Sequence, residues 1–447
     1  MSRTVDLHIR NGLVVPMRVD GEAFTGDVLV AEGRIADVTR GAASDVAARE
    51  VVDADDCLVL PGFIQGHVHV VQSLLRHQAD ELALLDWLRD RMWPYEASLD
   101  GDDTEVAAEL GICELLEGGT TCAVDFGTVR HHDRVFRAAE SLGIRFISGR
   151  THMDSGDGVP RALLEDADRS LDDAERLGRR WHLAADGRLR YAVAPRFALS
   201  CSQALLEGCR DLARRHGWLL QTHASENRDE VAAVRAAHGV GNVAYLAELG
   251  LVGSHVVLAH GVWLDDEEVD ILASTATRIC HCPGANLKLA SGIADIPRLR
   301  TRGVPILLGA DGPPCNNRLS AIHEMTLAAT LHGLRHGPAA VTAWDALAMV
   351  TRDAAEALHL GEEVGTLERG KVADLVVVDL DGWSLQPGGD PAARLVYGGS
   401  ASAVRDVVVA GRTVVRNGSV TTTDACQLRD RVRTSWTAVR RRMEEAA

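Results

Sequence analysis

The hydrophobic pattern of this chain predicts an α/β fold: a closed (β/α)8 barrel of the TIM type, with a small β-sandwich domain built from the N- and C-terminal segments. Two observations carry that expectation. Between residues 61 and 365, apolar runs of strand length alternate with stretches of helical periodicity, eight times over. At both ends of the chain, short strand-like segments separated by turns replace that alternation. A third observation says where the chemistry sits: four of the eight apolar runs end in a residue that a metal centre would use, His69, His223, His260 and Asp311.

Residues 1–60 form the N-terminal part of the expected sandwich, with strands read at 5–10, 26–30, 33–38 and 51–54. The eight barrel strands follow near 63–69, 120–126, 143–150, 190–197, 217–223, 255–260, 276–281 and 304–311. Residues 366–420 return to the texture of the N-terminus, with strand-like runs at 373–379 and 404–415, so one β domain is expected from both termini. Residues 421–447 end the chain in a surface helix over about Gln427–Glu445, to which no chemistry is assigned.

The first barrel strand runs into Gly66-His67-Val68-His69, directly after the Pro61-Gly62 turn. Residues two apart on a strand point to one side, so both imidazoles can face one cation. His223 ends the fifth strand, His260 the sixth and Asp311 the eighth. Barrel chemistry collects at the C-terminal ends of the strands, so these residues converge on one mouth. Imidazoles with a carboxylate suit Zn²⁺, and Fe²⁺ or Mn²⁺ would accept the same donors. His67, His69, His223 and Asp311 are therefore assigned as metal ligands. The fourth strand, Leu189–Phe197, carries no Lys able to bridge two ions, which predicts one metal per chain. Asp311 can also take a proton from the water such a site activates; its competing reading is a helix N-cap ahead of Gly312-Pro313. Glu226, three residues past His223, is the expected general acid, against a plain loop glutamate in a charged run. His260 can coordinate the metal or hydrogen-bond the attacking hydroxide, and the second role is the one assigned.

The composition narrows the partners. With 46% apolar residues, the 447-residue chain can bury a large core. A surplus of 64 acidic over 47 basic residues leaves a net charge of −17, which repels nucleic acid and anionic membrane surfaces. No apolar run approaches the ~18 residues of a membrane span, and no signal segment is read at the start. Nine Cys without paired spacing fit reduced thiols in a cytoplasm. The Cys280-His281-Cys282 triplet is not read as a zinc knuckle, since His281 points opposite the two thiols on a strand.

These motifs together resemble the amidohydrolase superfamily, in its branch of aminohydrolases acting on N-heterocycles. The resemblance rests on Pro61-Gly62-Phe63 before His67-x-His69, Asp86-Trp87-Leu88, Trp93-Pro94-Tyr95-Glu96, Thr222-His223-Ala224-Ser225-Glu226-Asn227 and Ala259-His260. It extends through His281-Cys282-Pro283-Gly284-Ala285-Asn286-Leu287-Lys288-Leu289, Gly309-Ala310-Asp311-Gly312, Asn316-Asn317 and Gly370-Lys371. The run Leu287–Ala294 and the Asn316-Asn317 pair are most similar to deaminases of 5′-deoxyadenosine, methylthioadenosine and S-adenosylhomocysteine. The resemblance implies hydrolytic deamination at purine C6, with Glu226 protonating N1 and His260 and Asp311 holding the attacking hydroxide. It implies that Glu96 binds ribose hydroxyls, that Arg150 lies near the 5′ substituent and that Trp93 contacts substrate. For Glu96 a surface position, and for Arg150 a rim ion pair, are the competing readings.

Four positions depart from the pattern. Pro195-Arg196-Phe197 replaces a Pro-His and is similar to guanine deaminases, in which the Arg and Phe contact the base; Arg196 thus joins the substrate-binding residues. His77 stands where Gly is usual, Gly66 where Thr or Ser is common, and Ala285 where Ser is. The alternatives are therefore a guanine, pterin or triazine hydrolase of the same superfamily. A non-catalytic barrel scaffold is disfavoured because His67, His69, His223, Glu226, His260 and Asp311 are all present. The expected partner is a small N-heterocycle, with a homo-oligomeric assembly.

Overall fold

The computed structural model describes residues 3–19, 22–44 and 46–446. Eight parallel strands form the central barrel: Phe63–Val68, Thr120–Phe126, Arg145–Gly149, Leu189–Pro195, Leu219–Ala224, Val256–His260, Arg278–His281 and Ile306–Leu308. All eight lie where the sequence places them. Each pairs with the next in chain order, and a bridge between Val68 and Asp311 joins the eighth back to the first. That closure needs Gly309, because a Cβ there would lie 2.4 Å from the His67 carbonyl oxygen.

The terminal segments build one nine-stranded sheet, as expected from their texture. Its order is Ser419–Val420, Arg412–Arg416, Val404–Val409, Leu375–Asp379, Cys57–Pro61, Arg3–Val14, Phe24–Ala31 and Arg34–Arg40, with Val46–Asp53 parallel to Arg3–Val14. The strand Cys57–Pro61 is absent from the sequence expectation, because it abuts Pro61-Gly62 and reads as an approach to the barrel. In fact it pairs antiparallel with Leu375–Asp379 and so joins the two ends of the chain. The run expected at 404–415 is two strands, since Ala410 and Gly411 take positive φ (48° and 77°) and reverse the chain.

Alternation divides the central strands of this sheet between two cores. Val59, Leu375 and Val377 pack with Leu7, Ile9, Val28 and Val30 in a core of their own. Their neighbours Leu58, Leu60, Val376 and Val378 join the barrel's core. A strand buried on both faces reads as a continuous apolar run.

A buried ion pair pins sheet to barrel. The Nε of Arg145, on the third barrel strand, donates to Asp374 at 2.9 Å, and Asp374 also accepts from the Ala410 amide at 2.7 Å. Both side chains are almost fully excluded from solvent. Arg145→Ala strands the Asp374 charge in that interior and is expected to cost about 3–5 kcal/mol, read as a lower urea midpoint at unchanged slope. A loss under about 1 kcal/mol would remove the pair from the list of what holds the two parts together.

The last helix, Ala425–Ala446, matches the expected surface helix and buries Leu428 and Val439. Its Arg442 bonds the Ser98 carbonyl at 2.7 Å and pairs with Asp103. It thereby braces the helix Trp93–Ser98 beside the barrel mouth. No helix among the described residues is long and apolar enough to cross a membrane.

Candidate metal centre and catalytic site

The first strand delivers His67 and His69 together, their rings 4.8 Å apart. Gly66 before them has no room for a side chain: a Cβ would meet Leu307 Cβ at 2.8 Å and Cys280 Sγ at 3.0 Å. That explains Gly in place of the commoner Thr or Ser. The eighth strand brings Asp311 against both imidazoles, with Oδ1 3.4 Å from His67 Nε2 and 3.3 Å from His69 Nε2. From the fifth strand, His223 places Nε2 3.2 Å from His69 Nε2. The ligand atoms of His67, His223, His260 and Asp311 all lie within 4.8 Å of one another.

The donor set fits a divalent cation. The Nδ1 of His223 lies 2.7 Å from the Arg196 carbonyl, which can only accept; Nδ1 therefore carries the hydrogen and Nε2 faces the cluster as a lone pair. The Nε2 atoms of His67 and His260 are buried with no hydrogen-bond partner among the described residues. Burial, then the neighbouring imidazoles, pull His69 and His223 well below the usual histidine range. Burial alone would raise Asp311, but the facing His67 imidazole, with His260 and His69 beside it, holds it well below the carboxylate range. Neutral imidazoles with a carboxylate anion are the protonation states that metal ligation requires.

Glu226 and its neighbours come from adjoining loops. Glu226 sits past the fifth strand with its amide bonded to Glu230 Oε2 at 2.8 Å. Burial, then the charges of Asp311 and Glu230, push its carboxyl well above the ordinary range, favouring the protonated acid. Its Oε2 lies 3.3 Å from His260 Nε2. Ser225, His260 and Asp311 all take left-handed backbone, with φ of 56°, 78° and 61°. Such conformations cost on the order of 1–3 kcal/mol in non-glycine residues and gather where function over-determines the geometry. Asp311 does not cap the following helix, whose N-cap is Gly312.

Above the cluster lies a small cavity of about 40 Å³, floored by His69, His223, Glu226, His260 and Asp311. Gln72, Arg196 and Glu230 give it polar walls, while Leu84, Trp87, Leu88, Phe197 and Leu289 give it apolar ones. That composition suits a flat heterocycle with a few polar edges.

The expected substrate residues divide. Arg196 reaches the cavity. Glu96 stands behind it, buried, with Oε2 2.6 Å and Oε1 3.2 Å from the two terminal nitrogens of Arg196 and Gln72 Nε2 at 3.4 Å from Oε1. Trp93 is not brought to the cavity: it is buried away from it, and Trp87 takes the wall instead. Leu84, Trp87 and Leu88 have the i, i+3, i+4 spacing of one helix face, the signal that could have singled them out. Arg150 is not brought there either. Its guanidinium donates to the Val129 carbonyl at 2.8 Å and pairs with Glu165 and with Asp173 at 3.5 Å, which is the rim ion pair. His77 and Ala285 lie off the cavity as well; His77 is exposed at φ 63°, the conformation for which Gly is the easier choice.

Sequence reasoning assigned no role to three residues that hold the site. Asp125 accepts from the Val70 amide at 2.9 Å and so fixes the turn after His69; burial pushes its carboxyl up to about 6. Asn286 bonds His260 and Ser291 bonds Glu226. All three act through contacts between distant strands, which spacing in the chain does not display.

The model of the amidohydrolase family matches residues 58–414. A 5-methylthioadenosine/S-adenosylhomocysteine deaminase of Syntrophobacter fumaroxidans is 37% identical over 97% of this chain and 98% of its own. A 5′-deoxyadenosine deaminase of Methanothermobacter thermautotrophicus is 36% identical over 88% of this chain and 90% of its own. A zinc-bound adenosine deaminase from Xanthomonas campestris superposes with a TM-score of 0.92, at 30% identity over 98% of this chain and all of that one.

Proposed function

The chain belongs to the amidohydrolase family, and on that premise we propose that it is a metal-dependent deaminase of an adenosine-type purine nucleoside. The candidate substrates are 5′-deoxyadenosine, adenosine, methylthioadenosine and S-adenosylhomocysteine, each yielding the inosine-type product and ammonia. The observation that carries this reading is the placement of a buried glutamic acid, Glu226, against His260 in the cluster that His260 forms with His67, His223 and Asp311, with His69 beside it, under a largely apolar cavity.

His67, His69, His223 and Asp311 would hold one divalent ion, for which Zn²⁺ suits the donors and Fe²⁺ or Mn²⁺ would serve. Bound there, the ion supplies the Lewis acidity that makes water a nucleophile near neutral pH. Asp311 would accept a proton from the attacking water, and His260 would hydrogen-bond its oxygen. Glu226 gives its proton to N1, so C6 can become tetrahedral without leaving negative charge on the ring. The exocyclic amino group then takes the proton held by Asp311 and departs as ammonia, while the C6 hydroxyl returns a proton to Glu226 and becomes the carbonyl. Free thiols at all nine cysteines suit a reducing cytoplasm.

A panel of purines, nucleosides, pterins and triazines, followed by ammonia release and ultraviolet change, tests the assignment; turnover confined to the last two classes would refute it. Elemental analysis should return about one metal per chain, because no second group of three His, Cys, Asp or Glu able to hold an ion occurs among the described residues. A reproducible two per chain would refute the single-ion site. One observation favours a second reading, a guanine-type hydrolase: Arg196 and Phe197 face the cavity while Glu96 does not.

A further inference from the structure

We propose that Gln65, Asn316 and Glu324 are positioning residues that fix the turn Ala310–Asp311 and so aim the Asp311 carboxylate at the metal cluster. The inference rests on Asp311 as a metal ligand, which belongs to the reading above, and on nothing about the substrate.

Asp311 needs such a device. The eighth barrel strand stops at Leu308, and Asp311 beyond it takes the left-handed φ of 61°. A residue other than glycine keeps that conformation only where its surroundings over-determine it. Backbone supplies part of the hold: the Gly309 amide donates to the His281 carbonyl and the Asp311 amide to the His67 carbonyl, both at 3.1 Å. Ala310, between them, is held by side chains at both its amide and its carbonyl. The amide donates to Gln65 Oε1 at 3.0 Å, and the carbonyl accepts from Asn316 Nδ2 at 2.8 Å.

Both side-chain amides are themselves oriented by their remaining bonds. Gln65 Nε2 donates to the Leu319 carbonyl and to Thr120 Oγ1, each at 3.0 Å. A carbonyl only accepts, so the oxygen of Gln65 is the atom that faces Ala310. Asn316 Nδ2 gives its second hydrogen to Glu324 Oε1 at 2.8 Å, and Glu324 Oε2 accepts from the Gly284 amide at 2.9 Å. Gln65 and Glu324 are fully buried, so water does not compete for these bonds. Gln65 lies on the first strand, Asn316 and Glu324 follow the eighth, and Gly284 is in the helix Pro283–Lys288 after the seventh. Elements from three strands thus converge on one residue beside the ligand. Asn317, the other half of the Asn-Asn pair, takes no part: it accepts from the His77 amide at 3.3 Å and donates to Asp80 at 3.2 Å.

Amide hydrogen exchange in the metal-free protein tests the turn without any substitution: the Ala310 and Asp311 amides should be protected, and free exchange at Ala310 would overturn the proposal. Zinc affinity, read by competition with a chelator, tests the aim. Asn316→Leu keeps the branched shape and removes both donors. It should bind zinc about 10–100-fold more weakly, the usual effect of losing a partner that orients a ligand. It should also change the visible absorption of the cobalt-loaded protein, which reports how the ligands are arranged. Should that variant fail to fold, Asn316→Ser, which keeps a single donor, carries the same expectation. Glu324→Leu should act alike, and the double variant should lose no more than either single one, because the two act as a unit. Wild-type zinc affinity and cobalt absorption in Asn316→Leu would overturn the proposal, even where its urea midpoint falls. Asp311→Ala separates the two failures: if it binds zinc as tightly as the wild type, Asp311 is not a ligand and that reading is refuted, while exchange at Ala310 still decides whether the turn is held.

Discussion

Glu226→Gln should lower turnover by about 10²–10⁴-fold, the usual worth of a positioned general acid, while the protein keeps its full metal content. The two readouts separate because Glu226 adjoins the cluster without belonging to it: its Oε2 meets His260, and its Oε1 meets Ser291. Gln preserves the shape and both contacts but has no acidic proton for a ring nitrogen. The side chain is buried, and that burial, with the charges of Asp311 and Glu230, pushes its carboxyl well above the ordinary range, toward the protonated acid. Asp311→Asn should behave differently, losing metal and turnover together, because Asp311 touches His67 and His69 as well as accepting the proton. Near-normal turnover in Glu226→Gln with full metal would reduce Glu226 to a loop residue.

The second large effect concerns recognition. A site built to bond a hydroxyl can discriminate against a ligand lacking it by about 10⁴-fold, and Glu96 is the carboxylate expected to bond the ribose. The structure couples that role to Arg196, because the two form a buried bidentate pair. Removing Glu96 therefore also strands a guanidinium and frees it to move. Where nucleoside binding draws Glu96 from behind Arg196 to the ribose, Glu96→Ala should cost kcat/KM on 5′-deoxyadenosine and adenosine far more than on adenine; an equal loss on all three would leave Glu96 as the brace of Arg196 alone. Arg196→Ala should penalise nucleosides and free bases alike. The double variant should lose less than the sum of the singles, as residues in contact do. Guanine preferred by the wild type, together with Glu96→Ala unchanged on every compound, would transfer the assignment to the guanine-type hydrolase.

Much of this architecture was legible in the chain. The eight barrel strands, the two-ended sheet and the convergence of His67, His69, His223, His260 and Asp311 follow from period and from position at strand ends. These are local signals: a strand shows its period over five or six residues, and parallel βα repetition forces its C-terminal ends to one side. The strand Cys57–Pro61 escaped because both its faces are buried, which erases alternation and merges it with the barrel strand that follows. Trp93 was expected at the cavity and Trp87 found there, because a motif marks a helix without marking the face it turns inward.

By itself, then, the sequence determined the fold class and which candidate metal-binding side chains and proposed acid stand at the barrel mouth, since each is carried by a side chain's own chemistry at a strand's end. Tertiary structure alone decided how those groups are aimed and which residues line the cavity. Arg150 turned to Val129, Glu165 and Asp173 on the rim, Glu96 went behind Arg196, and Asn286 and Ser291 were set against His260 and Glu226. The physical reason is that a hydrogen bond is settled within about 3 Å in space, between residues that here stand from 15 to 100 positions apart in the chain.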